Sequence, residues 1–158
     1  MNTQIANTLS NKEISTSKLW WVIPAGIFAG IIPNVIFYYI VSRLLREPLL
    51  VPEQFPPPDA VPLLVGDVVL FSIIFALGAG MVFALVAHFS QRPIKTYLII
   101  STTVLVLSFA LPLKAPTPPV TMPAKLTLLA MHIIGAIAVV GTMIGLARQK
   151  KTELPEVI

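Results

Sequence analysis

The stretch VVLFSIIFALGAGMVFALVA, from Val68 to Ala87, runs for 20 residues without a charge. Its apolar residues are continuous rather than alternating, so it does not read as a strand with one wet face. A helix rising about 1.5 Å per residue needs about 20 such residues to cross about 30 Å of hydrocarbon. Three other runs have the same character. Leu19 to Ser42 holds 24 uncharged residues, Thr96 to Leu113 holds 18 and Leu126 to Ala147 holds 22. Lipid offers no partner to a backbone N–H, so helices, which satisfy their own, are the expected spanning elements. The expected fold class is all-α: an integral membrane four-helix transmembrane bundle, up-and-down, with both termini on one side.

Composition agrees with this reading. The 158 residues are 56% hydrophobic and 11% charged, with mean hydropathy +0.86. Soluble domains carry roughly 25% charged residues, so this chain lacks the surface to face water. The absence of cysteine rules out disulfides, thiolate metal sites and dithiol chemistry. The net charge of +4 is not a nucleic-acid signature, because Lys and Arg gather at span ends without interleaved aromatics. The first run is too long for the apolar core of a signal peptide, and no small-residue cleavage site follows it, so it is read as an uncleaved span.

Charge sets the expected orientation. Lys12, Lys18, Arg92, Lys95, Arg148, Lys150 and Lys151 fall on one side of the four spans, seven positive charges in all. Arg43, Arg46, Lys114 and Lys125 fall on the other, together with Glu47, Glu53, Asp59 and Asp67. The positive-inside rule then places both termini in the cytoplasm of a cell membrane. Trp20 and Trp21 open span one, as an interfacial belt requires. Residues 1–17 form a polar tail expected to be disordered, 18–148 the membrane domain, and 149–158 a second cytoplasmic tail.

The outer loops, 43–67 and 114–125, are rich in proline, including Pro56, Pro57, Pro58, Pro118 and Pro119. Proline resists helix and favours extended chain. Two readings stand: stiff linkers, or a folded outer cap built on Leu49, Leu50, Val51, Phe55, Val61, Leu63 and Leu64. Asp67 is read as a helix-start residue. Pro33, well inside span one, is expected to kink it.

Helix association in lipid depends on close backbone approach. Gly26 and Gly30 in span one, Gly78 and Gly80 in span two, and Gly141 and Gly145 in span four are the candidate packing residues. Each pair serves either the bundle's own interior or a seam between copies or with a membrane-protein partner.

No Asp, Glu, Lys or Arg lies inside a run, which argues against proton- or ion-coupled transport. The neutral polar residues are more informative. Counting from the outer span ends at 1.5 Å per residue, Asn34 lies about 12 Å deep, Ser72 about 6 Å, Ser108 about 7–8 Å and His132 about 9 Å. One polar residue per helix thus falls in the outer third of the membrane. Facing inward, the four form either an interhelical hydrogen-bond clamp or a pocket for a small apolar or lipid-like ligand. Ser101, Thr102 and Thr103 are expected to bond back to their own helix. His88 ends span two at the opposite side from His132, so no metal or haem site is expected, and no cofactor. With no embedded acid to orient His132, a catalytic triad is not expected either, and the chain is not read as an enzyme.

Asn34, the proline-rich outer loop, Gln91-Arg92-Pro93, the segment Ser108 to Leu113, Leu126-Thr127-Leu128 and Met131-His132 together resemble a family of small bacterial four-span membrane proteins of unknown function. The resemblance runs from about Lys18 to Arg148. It implies a four-helix fold in a bacterial cell membrane and supplies no catalytic or binding residues.

Overall fold

The computed structural model describes residues 16–46, 48–52, 60–115 and 120–148. A 3-10 turn at Thr16–Lys18 leads into helix α1, Leu19–Leu45. Two short strands follow, β1 at Leu50–Pro52 and β2 at Ala60–Pro62. Helix α2 covers Val65–Phe89, α3 Pro93–Ser108, α4 Ala110–Lys114 and α5 Met122–Ala147. The spans are α1, α2, the combined segment Pro93–Lys114, and α5, each long and apolar enough to cross a membrane. The chain is an all-α transmembrane four-helix bundle. Large side chains such as Phe28, Ile36, Met81, Leu107 and Ile137 are exposed on its outside. In a bilayer that surface meets lipid tails as apolar as itself.

Every helix extends beyond its uncharged run. Arg43, Asp67, Lys95 and Lys125 are all within helical segments, where long or short polar side chains near a span end can reach the interface. Local chemistry sets the helix starts. Asp67, at the third position of α2, accepts a hydrogen bond from the Leu64 backbone N–H at 2.9 Å, satisfying a donor left open at the helix start. Pro93 opens α3, a position where its missing N–H is no loss. Thr121 caps α5, its hydroxyl accepting from the Ala124 N–H at 3.4 Å. The third span divides at Phe109 because of Pro112. Proline offers no N–H to the Ser108 carbonyl four residues back, and its ring crowds that carbonyl.

The described parts of the segment after α1, residues 48–52 and 60–64, form a cap rather than a plain linker. Strands β1 and β2 pair antiparallel with Val51 opposite Val61, and the Leu63 N–H donates to the Leu49 carbonyl at 2.7 Å. Pro52 and Pro62 are tolerated because each strand of a two-stranded ribbon has a free edge. Leu49 and Leu63 are buried in a cluster with Val68, Ala115, Val120, Ala124 and Met131. The Tyr38 hydroxyl donates to the Leu63 carbonyl at 3.0 Å and fixes the cap to α1. Leu64 is exposed instead, and Phe55 and the proline run 56–58 lie outside the described residues. So do both tails, residues 1–15 and 149–158.

Helix α1 is the hub, packed most extensively on α5 and α2, whereas α3 packs lightly. Glycine permits the close approach at the hub. A Cβ at Gly30 would lie 2.8 Å from Val139 Cγ2, one at Gly26 2.5 Å from Met143 Cε, and one at Gly80 2.9 Å from Ile23 Cγ2. The other three candidate packing glycines differ. Gly78, Gly141 and Gly145 have nothing within 4 Å of where a Cβ would stand. They admit no close neighbour among the described residues, because helical rotation turns them outward. At the end of the bundle carrying the α2–α3 turn, Phe83 and Tyr97 stack edge-on at 4.8 Å. The Tyr97 hydroxyl there donates to Met143 Sδ at 3.4 Å. Phe83, Tyr97 and Met143 are all fully buried.

Candidate functional site

Because α3 is held tightly only near Tyr97, a cavity of about 660 Å³ opens between α2, α3 and α5 toward the hairpin end. Tyr97, Val82 and Val140 line its lower part, and Val51 and Leu63 of the cap line its upper part. Phe71, Ile74, Phe75 and Gly78 of α2 and Val104 of α3 line it and are also exposed. The lining residues of α5 are all buried or half-buried. The mouth therefore lies between α2 and α3, on the flank that faces lipid rather than the bundle axis.

All four polar residues singled out from the sequence reach this cavity: Asn34, Ser72, Ser108 and His132. They do not form one hydrogen-bonded network. Asn34 Nδ2 donates to Ser72 Oγ at 3.2 Å, linking α1 to α2. Ser108 donates instead to the Leu105 carbonyl of its own helix at 2.7 Å. His132 Nδ1 sits 2.6 Å from the Leu128 carbonyl, also on its own helix. A carbonyl only accepts, so Nδ1 carries the hydrogen, and in the neutral ring Nε2 is left as an acceptor on the side away from the backbone. The ring of Phe75 lies 6.1 Å from that of His132, and the ring of Phe109 lies 6.5 Å away. Thr103 bonds back to the Ile99 carbonyl, while Ser101 lines the cavity wall.

Asn34 is the centre of the arrangement. It is buried, and its Oδ1 has no hydrogen-bond partner among the described residues. Helix α1 continues to Leu45, so Asn34 is eleven residues from its end, deeper than the eight counted from Ser42. Gly135, not singled out by the sequence reading, makes the room. A Cβ there would fall 2.9 Å from Asn34 Nδ2. Gly135 is the one span-four glycine outside the Gly141–Gly145 pair, and it follows His132 by three residues. That spacing puts both on one helical face, which is the signal that could have found it.

The buried cation lies elsewhere. Lys125, in the second turn of α5, donates its ammonium to the carbonyl of Ala115 at the end of α4. Cations favour helix C-termini. His88, at the far end of α2, is exposed and stacks edge-on against Phe89 at 4.8 Å. Among the described residues no three His, Asp or Glu side chains come together as a metal site.

What the arrangement can do is bind. It is a mostly apolar hollow with a few polar groups on its wall and a mouth on the lipid side, the usual build of a small-molecule site. No curated protein and no solved structure matches the chain. Residues 14–149 match the model of DUF6069, a family of unknown function, and the chain belongs to that family.

Proposed function

We propose that this membrane protein is a non-enzymatic binding protein that holds a small amphipathic or lipid-like molecule in the cavity between α2, α3 and α5. The observation that carries the reading is the unpartnered Oδ1 of Asn34 beside an apolar hollow open toward lipid. Leaving a buried acceptor unpaired costs about 1–3 kcal/mol, and a ligand's polar end entering the cavity removes that cost. The hydroxyl of Ser108 gives its proton to its own helix rather than to His132, which supports binding rather than nucleophile–base chemistry.

Native mass spectrometry of protein extracted directly into lipid nanodiscs tests the proposal. A bound species is expected on the wild type and is expected to be lost from His132→Ala and Asn34→Leu while both variants remain folded. Equal retention in both variants would sink the reading. An interaction or structural subunit is the second reading. The exposure of Gly141 and Gly145 along α5 favours it, since among the described residues nothing lies within 4 Å of where a Cβ would stand at either. In that case Gly141→Leu abolishes a defined oligomer or partner complex and His132→Ala leaves it intact.

We further propose a cell membrane as the location, with both termini cytoplasmic and the β-hairpin outside, on the strength of the seven-to-four bias in Lys and Arg. Single cysteines at Gln54 and Thr117 are then labelled from outside intact cells and one at Gln91 is not. The reverse pattern overturns the orientation.

A further inference from the structure

We propose that the molecule held in this cavity is neutral and donates hydrogen bonds from its polar end. It is a hydroxylated lipid-like molecule, an alcohol or diol, and not a fatty acid or other anion. The inference rests on the binding reading above and adds the chemistry of the ligand to it.

Hydrogen-bond valence carries the argument. Asn34 uses its Nδ2 on Ser72, and Oδ1 is left free. His132 uses Nδ1 on the Leu128 carbonyl, which in the neutral ring leaves Nε2 as an acceptor. Ser108 uses its proton on the Leu105 carbonyl. Donors remain on the Ser72 hydroxyl and the second Nδ2 hydrogen, but among the described residues the buried side-chain atom with no partner at all is Asn34 Oδ1, an acceptor. An apolar cavity that presents acceptors selects a partner that brings donors, because two acceptors facing each other in a low-dielectric site leave both unpaired.

Charge argues the same way. Among the described residues no Lys, Arg, Asp or Glu lines the cavity. A carboxylate there would be an uncompensated charge among apolar side chains, which is strongly unfavourable. The buried ammonium of Lys125 is engaged by Ala115 and is not among the lining residues.

Spacing narrows the polar end further. The Asn34 amide lies against Gly135, three residues beyond His132 on the same face of α5. The stretch of α5 that the amide touches is thus about 4.5 Å of helical rise from His132, which places both side chains on neighbouring levels of one cavity wall. The rings of Phe75 and Phe109 flank His132. The mouth beside Phe71 and Val104 gives an alkyl chain a path to the bilayer. The polar end then sits deep and the chain points out between α2 and α3.

The test uses full-length protein in nanodiscs and three probes of equal chain length: 1-decanoylglycerol, the same compound with both hydroxyls methylated, and decanoic acid. Competitive retention is read by native mass spectrometry, with the melting temperature recorded for each variant. Wild-type protein is expected to retain the diol about tenfold over the methylated compound, one to two hydrogen bonds' worth of discrimination. Asn34→Leu and His132→Phe are each expected to lose most of that preference while retaining the methylated compound as before. If Asn34→Leu does not fold, His132→Phe, which keeps a ring and removes Nε2, carries the test alone. Equal retention of diol and methylated compound overturns the inference and leaves the binding reading standing. Preference for the acid overturns it in favour of charge recognition. Retention of none of the three overturns the binding reading and the inference together, with a water molecule left as the partner of Asn34.

Discussion

The two flanks of α1 and α3 are built from the same kinds of apolar side chain and behave in opposite ways. Along α1, glycines at 26 and 30 let Met143 and Val139 of α5 settle against bare backbone, and Gly80 of α2 receives Ile23 in the same manner. Along α3, no glycine admits a neighbour, the Phe83–Tyr97 stack closes one end, and the other end stands away from α2 and α5 around the cavity. Only 11% of the third span's most apolar window is buried, against 22–28% for the other three. In lipid, hydrophobicity does not pull helices together. Glycines on α1 and α2 decide where the closest contact is made, and α3, which has none, stands off around the hollow. The α1 seam holds the bundle, and the α3 flank leaves a cavity beside it.

The comparison breaks most visibly at Gly30. Its added Cβ would meet Val139 Cγ2, part of a β-branched side chain that is stiff on a helix. Overpacking of this kind costs about 1–3 kcal/mol, and Gly30→Leu is expected to exceed that range and prevent assembly. Gly26→Ala is expected to be milder, because the atom it meets is the terminal methyl of Met143, which can swing away. Gly141→Ala meets open space and is expected to be neutral or slightly stabilising. Unfolding midpoints in one detergent rank the three. A Gly141 substitution as damaging as the one at Gly30 would show that α5 packs against a second chain.

The α3 flank is sharpened by filling it. Ala136 lines the cavity from α5 and is half-buried. Ala136→Leu places new methyl groups in the hollow while leaving the polar groups of Asn34 and His132 in the chain. It is expected to abolish retention of the bound species while changing stability by about 1 kcal/mol or less, in the stabilising direction if the hollow is filled cleanly. Native mass spectrometry and a melting curve on the same sample read both effects. Retained ligand with unchanged stability would mean that the cavity is not where the molecule sits.

Uncharged length was enough to give four helices, since each run passes the thickness of a bilayer and lipid forbids most alternatives. Helix ends were less legible, because charge was taken as the limit and Arg43, Asp67, Lys95 and Lys125 are helical nonetheless. The cap was readable only as one of two options, since paired strands containing Pro52 and Pro62 depend on a ribbon with free edges. The polar residues were legible as a set because each is isolated in an apolar run. Which of them meet was not, since Ser108 and His132 turn to carbonyls of their own helices, a choice of rotamer rather than of sequence position. Nor could spacing separate Gly30 from Gly141. Both belong to a small-xxx-small pair, and only the rotation of each helix in the bundle tells inside from outside.

The smallest effect tests whether the two flanks meet at Asn34, which is rooted in the α1 seam and reaches the cavity. Ser72→Ala removes the partner of Nδ2 and leaves the amide with neither end paired. The expected cost is about 1 kcal/mol, within the range for polar contacts between membrane helices. Asn34→Leu removes the buried polar group altogether, along with its unpaired Oδ1, and is expected to be nearly neutral for stability. The double variant should therefore be no less stable than Asn34→Leu alone, giving a coupling close to the whole cost of Ser72→Ala. Unfolding midpoints of the four proteins measure it. Independent effects would mean that the Asn34–Ser72 bond contributes nothing. A stabilising Asn34→Leu would instead mean that the chain retains a buried amide at the expense of its own stability, as expected of a group kept for what it binds.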